Sequence, residues 1–331
     1  MKVLSKVYFK HLWKVIVATF MGFINDNGLK LSASLAYYTV FSIAPLIILV
    51  ISITSLVLGH YNFNDTVYAQ IQHFMGKDAA LQLQEIVKHL ALSGKTGVAL
   101  VAGIVILLLG ASSMFVEIQD SLNIIWRLKA KPKKGWLKFL KNRFLSFSLI
   151  ISLGFLLLVS LIINIAINAL SERLTHFLPA ITVTLFDLIN LVITLVVIAV
   201  LFGIIFKFLP DAKIKWRDVR SGAIFTALLF MLGQYLIGLY LKYTAQGSAY
   251  GAAGSLIIIL VWIYYTSAIL YIGAEFTQVY AEAIGSSIEP AEYAVHIEQT
   301  EVELEVDELP PQNPNLQGNL QKPPAPGNKK S

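Results

Sequence analysis

Six stretches of the chain are apolar over about 20 residues or more, and this pattern limits the fold more than any other feature. An α-helix of that length crosses the hydrocarbon core, and lipid offers no partner for unpaired backbone groups. The sequence therefore predicts an all-α, polytopic membrane helical bundle with six transmembrane helices. The predicted spans are residues 33–58, 97–116, 145–170, 181–209, 222–241 and 252–274. Only 14% of residues are charged, against about 25% in soluble domains.

The distribution of positive charge predicts the orientation of these spans. Of the 26 Lys and Arg residues, 21 fall in the amino-terminal arm, the second and fourth loops and the tail. The other five fall in the first, third and fifth loops. Because cytoplasmic loops carry the excess of basic residues, both termini are expected in the cytoplasm.

Residues 1–32 are predicted to form an amphipathic arm on the cytoplasmic interface. The helical spacing that supports this interpretation joins Leu12, Val15, Ile16, Thr19, Phe20 and Phe23 on one face. Trp13 would anchor the arm in the interface. A signal peptide, with a cleavage site near the small residues 32–34, is the less favoured alternative.

One further segment interrupts the six-span domain of residues 33–285, and another follows it. The external loop 59–96 is too long for a simple turn and carries two helical patterns, which suit a lid, a gate or a docking surface. The tail 286–331 is first acidic and then rich in Pro and Asn, so it is expected to be disordered in the cytoplasm.

Polar side chains near the outer ends of the third and fourth spans form the first candidate site. Asp187, Asn190 and Thr194 share one helical face, and Asn164 and Asn168 lie at similar depth on the preceding span. Hydrogen bonds between helices are one interpretation, and an outward-facing polar pocket is the other. An acid inside a membrane span favours the pocket.

A second polar group is predicted at the cytoplasmic end. The last span continues into a polar stripe, and the second span ends in acidic residues close to the basic second and fourth loops. Ion pairs that lock the loops to the bundle, an inner gate and an anionic head-group site all remain open. The candidate residues are Glu117, Asp120, Arg127, Arg217, Arg220, Glu275 and Gln278.

The sequence gives little support for catalysis, metal binding or phosphate binding. The chain has no Cys, its six His are scattered, and no phosphate-binding glycine loop or G-x-S-x-G pattern is present. No catalytic residue, cofactor or metal is therefore expected. The basic second loop is expected to meet anionic lipid head groups rather than nucleic acid. A protein partner at the external loop or acidic tail, and a homo-oligomer, stay open.

Several segments together resemble the YihY/BrkB family of bacterial inner-membrane proteins. They are Leu35 to Leu46, Glu117 to Trp126, Trp216 to Ala223 and Tyr250 to Phe276, in matching order within residues 5–285. The positions that match the family's motifs are Tyr37, Tyr38, Pro45, Glu117, Trp126, Gly222, Gly251, Trp262, Gly273 and Glu275. The resemblance implies a multi-pass protein of the bacterial plasma (inner) membrane. It implies no settled activity, although members have carried the label ribonuclease BN and have been associated with virulence, serum resistance and envelope lipid export.

Three functions are compatible with the sequence. A transporter or a protein that handles lipids or other envelope components is preferred, because a lipid's tails can stay in hydrocarbon while only its head group crosses a midplane without charges. A membrane scaffold that recruits partners through its arm and tail is the alternative. A membrane-bound ribonuclease is the least favoured.

Single cysteines test the predicted topology, because the chain has none of its own. Ala80→Cys and Thr175→Cys should react with an impermeant maleimide added to intact cells, since both positions are predicted to be external. Lys133→Cys and Leu320→Cys should react only after the membrane is permeabilised. External labelling at 133 would overturn the predicted orientation.

Overall fold

The computed structural model describes residues 6–42, 81, 113–131, 148, 152, 156, 179–244 and 251–298. The helices within these residues are α1 (Lys6–Asn25), α2 (28–42), α3 (113–125), α4 (Pro179–Phe208), α5 (Trp216–Thr244) and α6 (Gly251–Ala283). The strands among them are β1 (Leu128–Ala130), β2 (Ala212–Lys213), β3 (Glu289–Pro290) and β4 (Ala294–His296).

Three of the described helices are long and apolar enough to cross a membrane. The apolar segments are Leu188–Phe208 in α4, Trp216–Ile237 in α5 and Ile259–Ala283 in α6. They confirm that the last three predicted spans are helical. The predicted spans 33–58, 97–116 and 145–170 lie largely outside the described residues, as does the external loop 59–96 apart from Leu81.

Two helix boundaries differ from the spans predicted from apolar runs. Helix α5 begins at Trp216 rather than at 222, and α6 continues to Ala283 rather than ending at 274. Both extensions contain an acidic residue that is buried in the bundle, Asp218 in α5 and Glu275 in α6. A prediction from hydropathy ends a span at a charged residue. The helix itself continues through Asp218 and Glu275, because the folded bundle surrounds both side chains with protein.

Helices α5 and α6 meet through two glycine–threonine contacts that mirror each other. A Cβ on Gly222 would lie 1.8 Å from Thr277 Oγ1, and a Cβ on Gly273 would lie 1.9 Å from Thr226 Oγ1. The hydroxyl of Thr226 donates to the Gly222 carbonyl at 2.7 Å, and that of Thr277 to the Gly273 carbonyl at 2.7 Å. The helices therefore approach at small residues, as is common inside membranes, and each hydroxyl is satisfied within its own helix.

Helix α1 packs against α6 with the face that carries Gly22. Val15, Thr19 and Phe23 on that face are buried. Part of the face predicted to lie on the membrane interface is therefore covered by protein. A different stripe of α1, which includes Trp13 and Ile24, is exposed and apolar, with Trp13 67% exposed. The interfacial position of residues 1–32 stays a prediction.

The segment that follows α6 is ordered, in contrast to the predicted start of a disordered tail at 286. Strand β3 pairs antiparallel with β2, and β4 pairs antiparallel with β1. The backbone of residues 289–296 forms its hydrogen bonds with β1 and β2, the strands that follow α3 and α4. A search for apolar patterns does not detect such pairings. Residues 299–331 lie outside the described residues. The end of the bundle with these strands is called the strand-bearing end below.

Substitution of Gly222 tests the α5–α6 contact. Gly222→Ala should lower the free energy of unfolding by about 1–3 kcal/mol, because its Cβ has no room beside Thr277. Gly203→Ala is the matched control, since its Cβ would meet Ala223 Cβ at an ordinary 3.6 Å. Both changes gain the same helix propensity, so the difference between their unfolding transitions in detergent reports packing. Equal stability of the two variants would contradict the close approach.

Candidate functional site

An acidic pair and one arginine meet at the strand-bearing end, and these three residues are called the carboxylate cluster. Arg127 Nη2 donates to Asp26 Oδ1 at 2.5 Å. The carboxyl group of Asp26 also lies within hydrogen-bonding reach of the Glu275 carboxyl group. The cluster therefore joins the end of α1, the end of α3 and the last third of α6.

Two sharp turns bring these side chains together. Asn27, directly after Asp26, has φ 55°, and Arg127, two residues after the end of α3, also has φ 55°. Left-handed backbone is costly for an arginine, so the surroundings must hold it there. The Arg127 amide donates to the Ile124 carbonyl at 3.1 Å, and the Arg127 carbonyl accepts from the Ile297 amide at 2.8 Å. The segment after α6 thus helps to fix the arginine.

Glu275 is buried in this cluster on the face of α6 that meets α1. It is 3% exposed, and its Oε1 has no hydrogen-bond partner among the described residues. A Cβ on Gly22 would lie 2.7 Å from Glu275 Oε2, so the glycine leaves the space that this carboxyl group occupies. Next to Glu275, the Ala274 carbonyl accepts from Trp126 Nε1 at 3.1 Å. Trp126 therefore ties the end of α3 to the same turn of α6.

The charges of the carboxylate cluster do not balance. Among the described residues one guanidinium group faces two carboxyl groups, so the second negative charge has no cation there unless the pair holds a proton. Burial raises the pKa of Asp26, while Arg127 and the hydrogen bond with Glu275 act in the opposite direction. Two carboxyl groups in contact share one proton more readily than either group alone would bind one. The net charge of the carboxylate cluster can therefore change by one proton while its three residues stay in contact.

A second buried acid, Asp211, organises the loop between α4 and α5. Asp211 Oδ1 accepts from Gln119 Nε2 at 3.0 Å, and Oδ2 accepts from Asn123 Nδ2 at 3.0 Å. The Asp211 amide donates to Asn123 Oδ1 at 2.9 Å. Burial and the neighbouring Asp211 carboxylate raise the pKa of Tyr293 to about 12. In contrast to Glu275, this carboxylate is well supplied with donors, which is typical of a structural role.

A third buried acid, Asp218, connects the start of α5 to the end of α6. Its Oδ2 accepts from the Ser286 amide at 3.0 Å, and its Oδ1 lies 3.5 Å from Arg217 Nε. A Cβ on Gly285 would lie 2.3 Å from Asp218 Oδ1, so this glycine permits the contact.

The structure brings only some of the predicted inner residues together. Arg127 lies beside Glu275, whereas Arg217, another candidate of the same group, contacts Asp218 and donates to Ser286 Oγ at 3.4 Å. Arg220 is exposed on α5. The reason is their position, since these two arginines lie near the start of α5, whereas Glu275 lies on the face of α6 that meets α1. Three further candidates are placed as follows: Glu117 is half-buried on α3, Asp120 is exposed there, and Gln278 donates to Glu282 Oε1 at 3.2 Å on α6.

The outer polar group is described only in part. Asn190 lies half-buried on α4, and its Oδ1 has no hydrogen-bond partner among the described residues. Asp187 belongs to the same helix. Asn164 and Asn168 lie outside the described residues, so the outer pocket stays a prediction.

The motif positions taken from the family resemblance have several distinct roles. Trp262 is buried and packs edge-on against Phe230 at a ring distance of 6.1 Å. Tyr37 and Tyr38 are exposed on α2 and contact each other edge-on at 5.6 Å. Gly251 begins α6, and Pro45 lies outside the described residues.

Sequence reasoning missed Asp26, Asp211 and Asp218, although each carries a recognisable signal. Asp26 is the single acidic residue of the basic arm 1–32, and the other two are the only acids in the basic stretch 207–220. An isolated acid in a positively charged segment is therefore informative. Among the described residues, no group of three or more His, Cys, Asp or Glu side chains could hold a metal ion.

Apolar helices long enough to cross a bilayer, with buried acids at one end, define a helical membrane protein. A family profile described as Virulence factor BrkB matches residues 19–296. The chain therefore belongs to the BrkB family, as the sequence motifs predicted.

Individual relatives agree with this assignment. A UPF0761 membrane protein of Pseudomonas aeruginosa is 30% identical over 258 residues, which cover 76% of this chain and 59% of the relative. A ribonuclease-like protein of Bacillus subtilis, YfkH, is 26% identical over 253 residues, which cover 75% of this chain and 88% of the relative. The chain thus spans less than two thirds of the length of the Pseudomonas relative. No solved structure matches the chain.

Proposed function

We propose that this chain is a lipid-handling transporter of the bacterial inner membrane. In this proposal it crosses the membrane six times with both termini in the cytoplasm, and the strand-bearing end faces the cytoplasm. The carboxylate cluster is then an inner gate, at which the arm, the second loop and the last span separate or close. The proposal assigns no catalytic residue.

The single observation that carries the proposal is the unbalanced charge of the carboxylate cluster. Asp211, which holds a loop in place, has donors for both carboxylate oxygens. Asp218 Oδ1 accepts no hydrogen bond among the described residues, but Arg217 Nε lies 3.5 Å from it. Glu275 has a carboxyl oxygen without a partner among the described residues and an acidic neighbour. Ionisable groups kept at such a cost inside membrane proteins are commonly functional.

The scaffold alternative is favoured by a different observation. Helices α1 and α2 expose large apolar side chains, among them Met21 at 61% and Phe41 at 65%. Such a surface could bind a partner protein instead of lipid. The ribonuclease-like name of the Bacillus relative would make this chain an enzyme, and we hold that as the least favoured alternative.

Translocation of a fluorescent phosphatidylglycerol in reconstituted vesicles tests the transporter proposal. The probe carries its fluorophore on an acyl chain, and an impermeant reductant bleaches only the outer leaflet. The purified protein should speed the loss of inner-leaflet fluorescence, with or without a pH gradient across the vesicle. Glu275→Gln should slow this loss about tenfold, a change in barrier of about 1.4 kcal/mol.

Glu282→Gln is the matched control, because Glu282 lies on the same helix but is exposed. It should translocate the probe like the wild type. Wild-type vesicles no faster than protein-free vesicles would overturn the transporter proposal. A parallel fall of translocation and melting temperature in Glu275→Gln would favour the scaffold.

A further inference from the structure

A groove of about 590 Å³ runs along the surface between α4 and α5. Its floor is made of the small residues Ala199, Gly203 and Ala223, and its sides include Val196 and Val200. Two of its wall residues are substantially exposed, Val196 at 53% and Val200 at 43%. The groove thus lies on the outer surface of two helices that are apolar enough to cross a membrane.

The mouth of the groove at the strand-bearing end has different chemistry. It is formed by Trp216, Arg217 and Arg220. Phe208 packs edge-on against the Trp216 ring at 5.9 Å, and Lys207 Nζ lies 5.8 Å from the centre of that ring. A tryptophan held in this way is typical of the level at which lipid head groups begin.

The two arginines are not placed where they would stabilise α5. Arg217 lies in its first turn and Arg220 directly after that turn, near the helix end where positive charge opposes the helix dipole. Arg217 remains 61% exposed even though it contacts Asp218, and Arg220 is exposed as well. Their guanidinium groups are therefore available to an anion at the mouth of the groove, and guanidinium is well matched to phosphate oxygens.

We propose that this groove binds one anionic phospholipid. An acyl chain lies along Ala199, Gly203 and Ala223, and the phosphate of the head group contacts Arg217 and Arg220. The occupant is a lipid rather than a soluble anion, because the apolar part of the site opens on an exposed apolar surface of two helices that are apolar enough to cross a membrane. This inference rests on the proposed function, for which it supplies the chemical class of the substrate.

Native mass spectrometry of the purified full chain tests the site, with phosphatidylglycerol and phosphatidylcholine offered as an equimolar mixture. The wild type should retain phosphatidylglycerol in preference. The double variant Arg217→Gln/Arg220→Gln should reduce this preference about tenfold, the factor expected for a loss of about 1.4 kcal/mol. Added inorganic phosphate should not displace the lipid.

The double variant Lys213→Gln/Lys215→Gln is the matched control, since it removes the same charge from the segment directly before α5, outside the groove. An equal loss of preference in this control would show only a general attraction of basic loops for anionic lipid, and would overturn the site. Retention of phosphatidylglycerol by Arg217→Gln/Arg220→Gln would overturn it as well.

A variant in the floor of the groove tests the acyl-chain contact without changing charge. Ala199→Phe should lower retention of both lipids, whereas Val192→Phe, on the exposed surface of α4 outside the groove, should not. Unchanged retention in a folded Ala199→Phe protein would contradict the site. Groove-dependent retention without lipid translocation would leave the site standing and remove the transporter proposal. Translocation that survives loss of groove binding would leave the transporter proposal standing and would show that the groove does not hold its substrate.

Discussion

The cost of removing acidic side chains from water governs the organisation of the strand-bearing end. Asp26, Asp211, Asp218 and Glu275 are all withdrawn from solvent there, and each connects segments that are distant in the sequence. A buried carboxylate is tolerated only with donors or cations close by, so each acid fixes the position of its partners. This requirement holds the turn at Arg127 and the loop at Asp211 in place, and it keeps the segment after α6 ordered.

The four acids do not share one chemical role. Asp211 and Asp218 accept hydrogen bonds from amide groups and behave as structural anchors. The carboxyl groups of Asp26 and Glu275 are in contact, and Arg127 is the one cation beside them among the described residues, so a shared proton would balance the remaining charge. The same end of the bundle thus combines two rigid supports with one group whose charge can change. This combination suits the proposed inner gate, because segments that separate and close need a rigid structure to move against.

The sequence predicted the membrane class, the family and the last three helical spans because apolar runs and local motifs carry that information. It also placed Arg127 and Glu275 at one end of the bundle. It did not identify Asp26 as their neighbour, because that contact depends on how α1 packs against α6. The pairing of residues 289–296 with β1 and β2 was missed for a similar reason, since strands of two or three residues have no period to detect. Gly222 and Gly273 were recognised by resemblance, whereas their contacts with Thr277 and Thr226 required the structure.

The central inference is that Asp26 and Glu275 share one proton, because their carboxyl groups are in contact and Arg127 is the one cation beside them among the described residues. Infrared spectroscopy of the purified protein measures this directly, because a protonated carboxyl group has a C=O stretching band that a carboxylate lacks. The account predicts one such band in the wild type and its loss in both Glu275→Gln and Asp26→Asn, where a single remaining acid can ionise beside Arg127. A wild-type spectrum without a protonated carboxyl group, or a band that survives both substitutions, would contradict it.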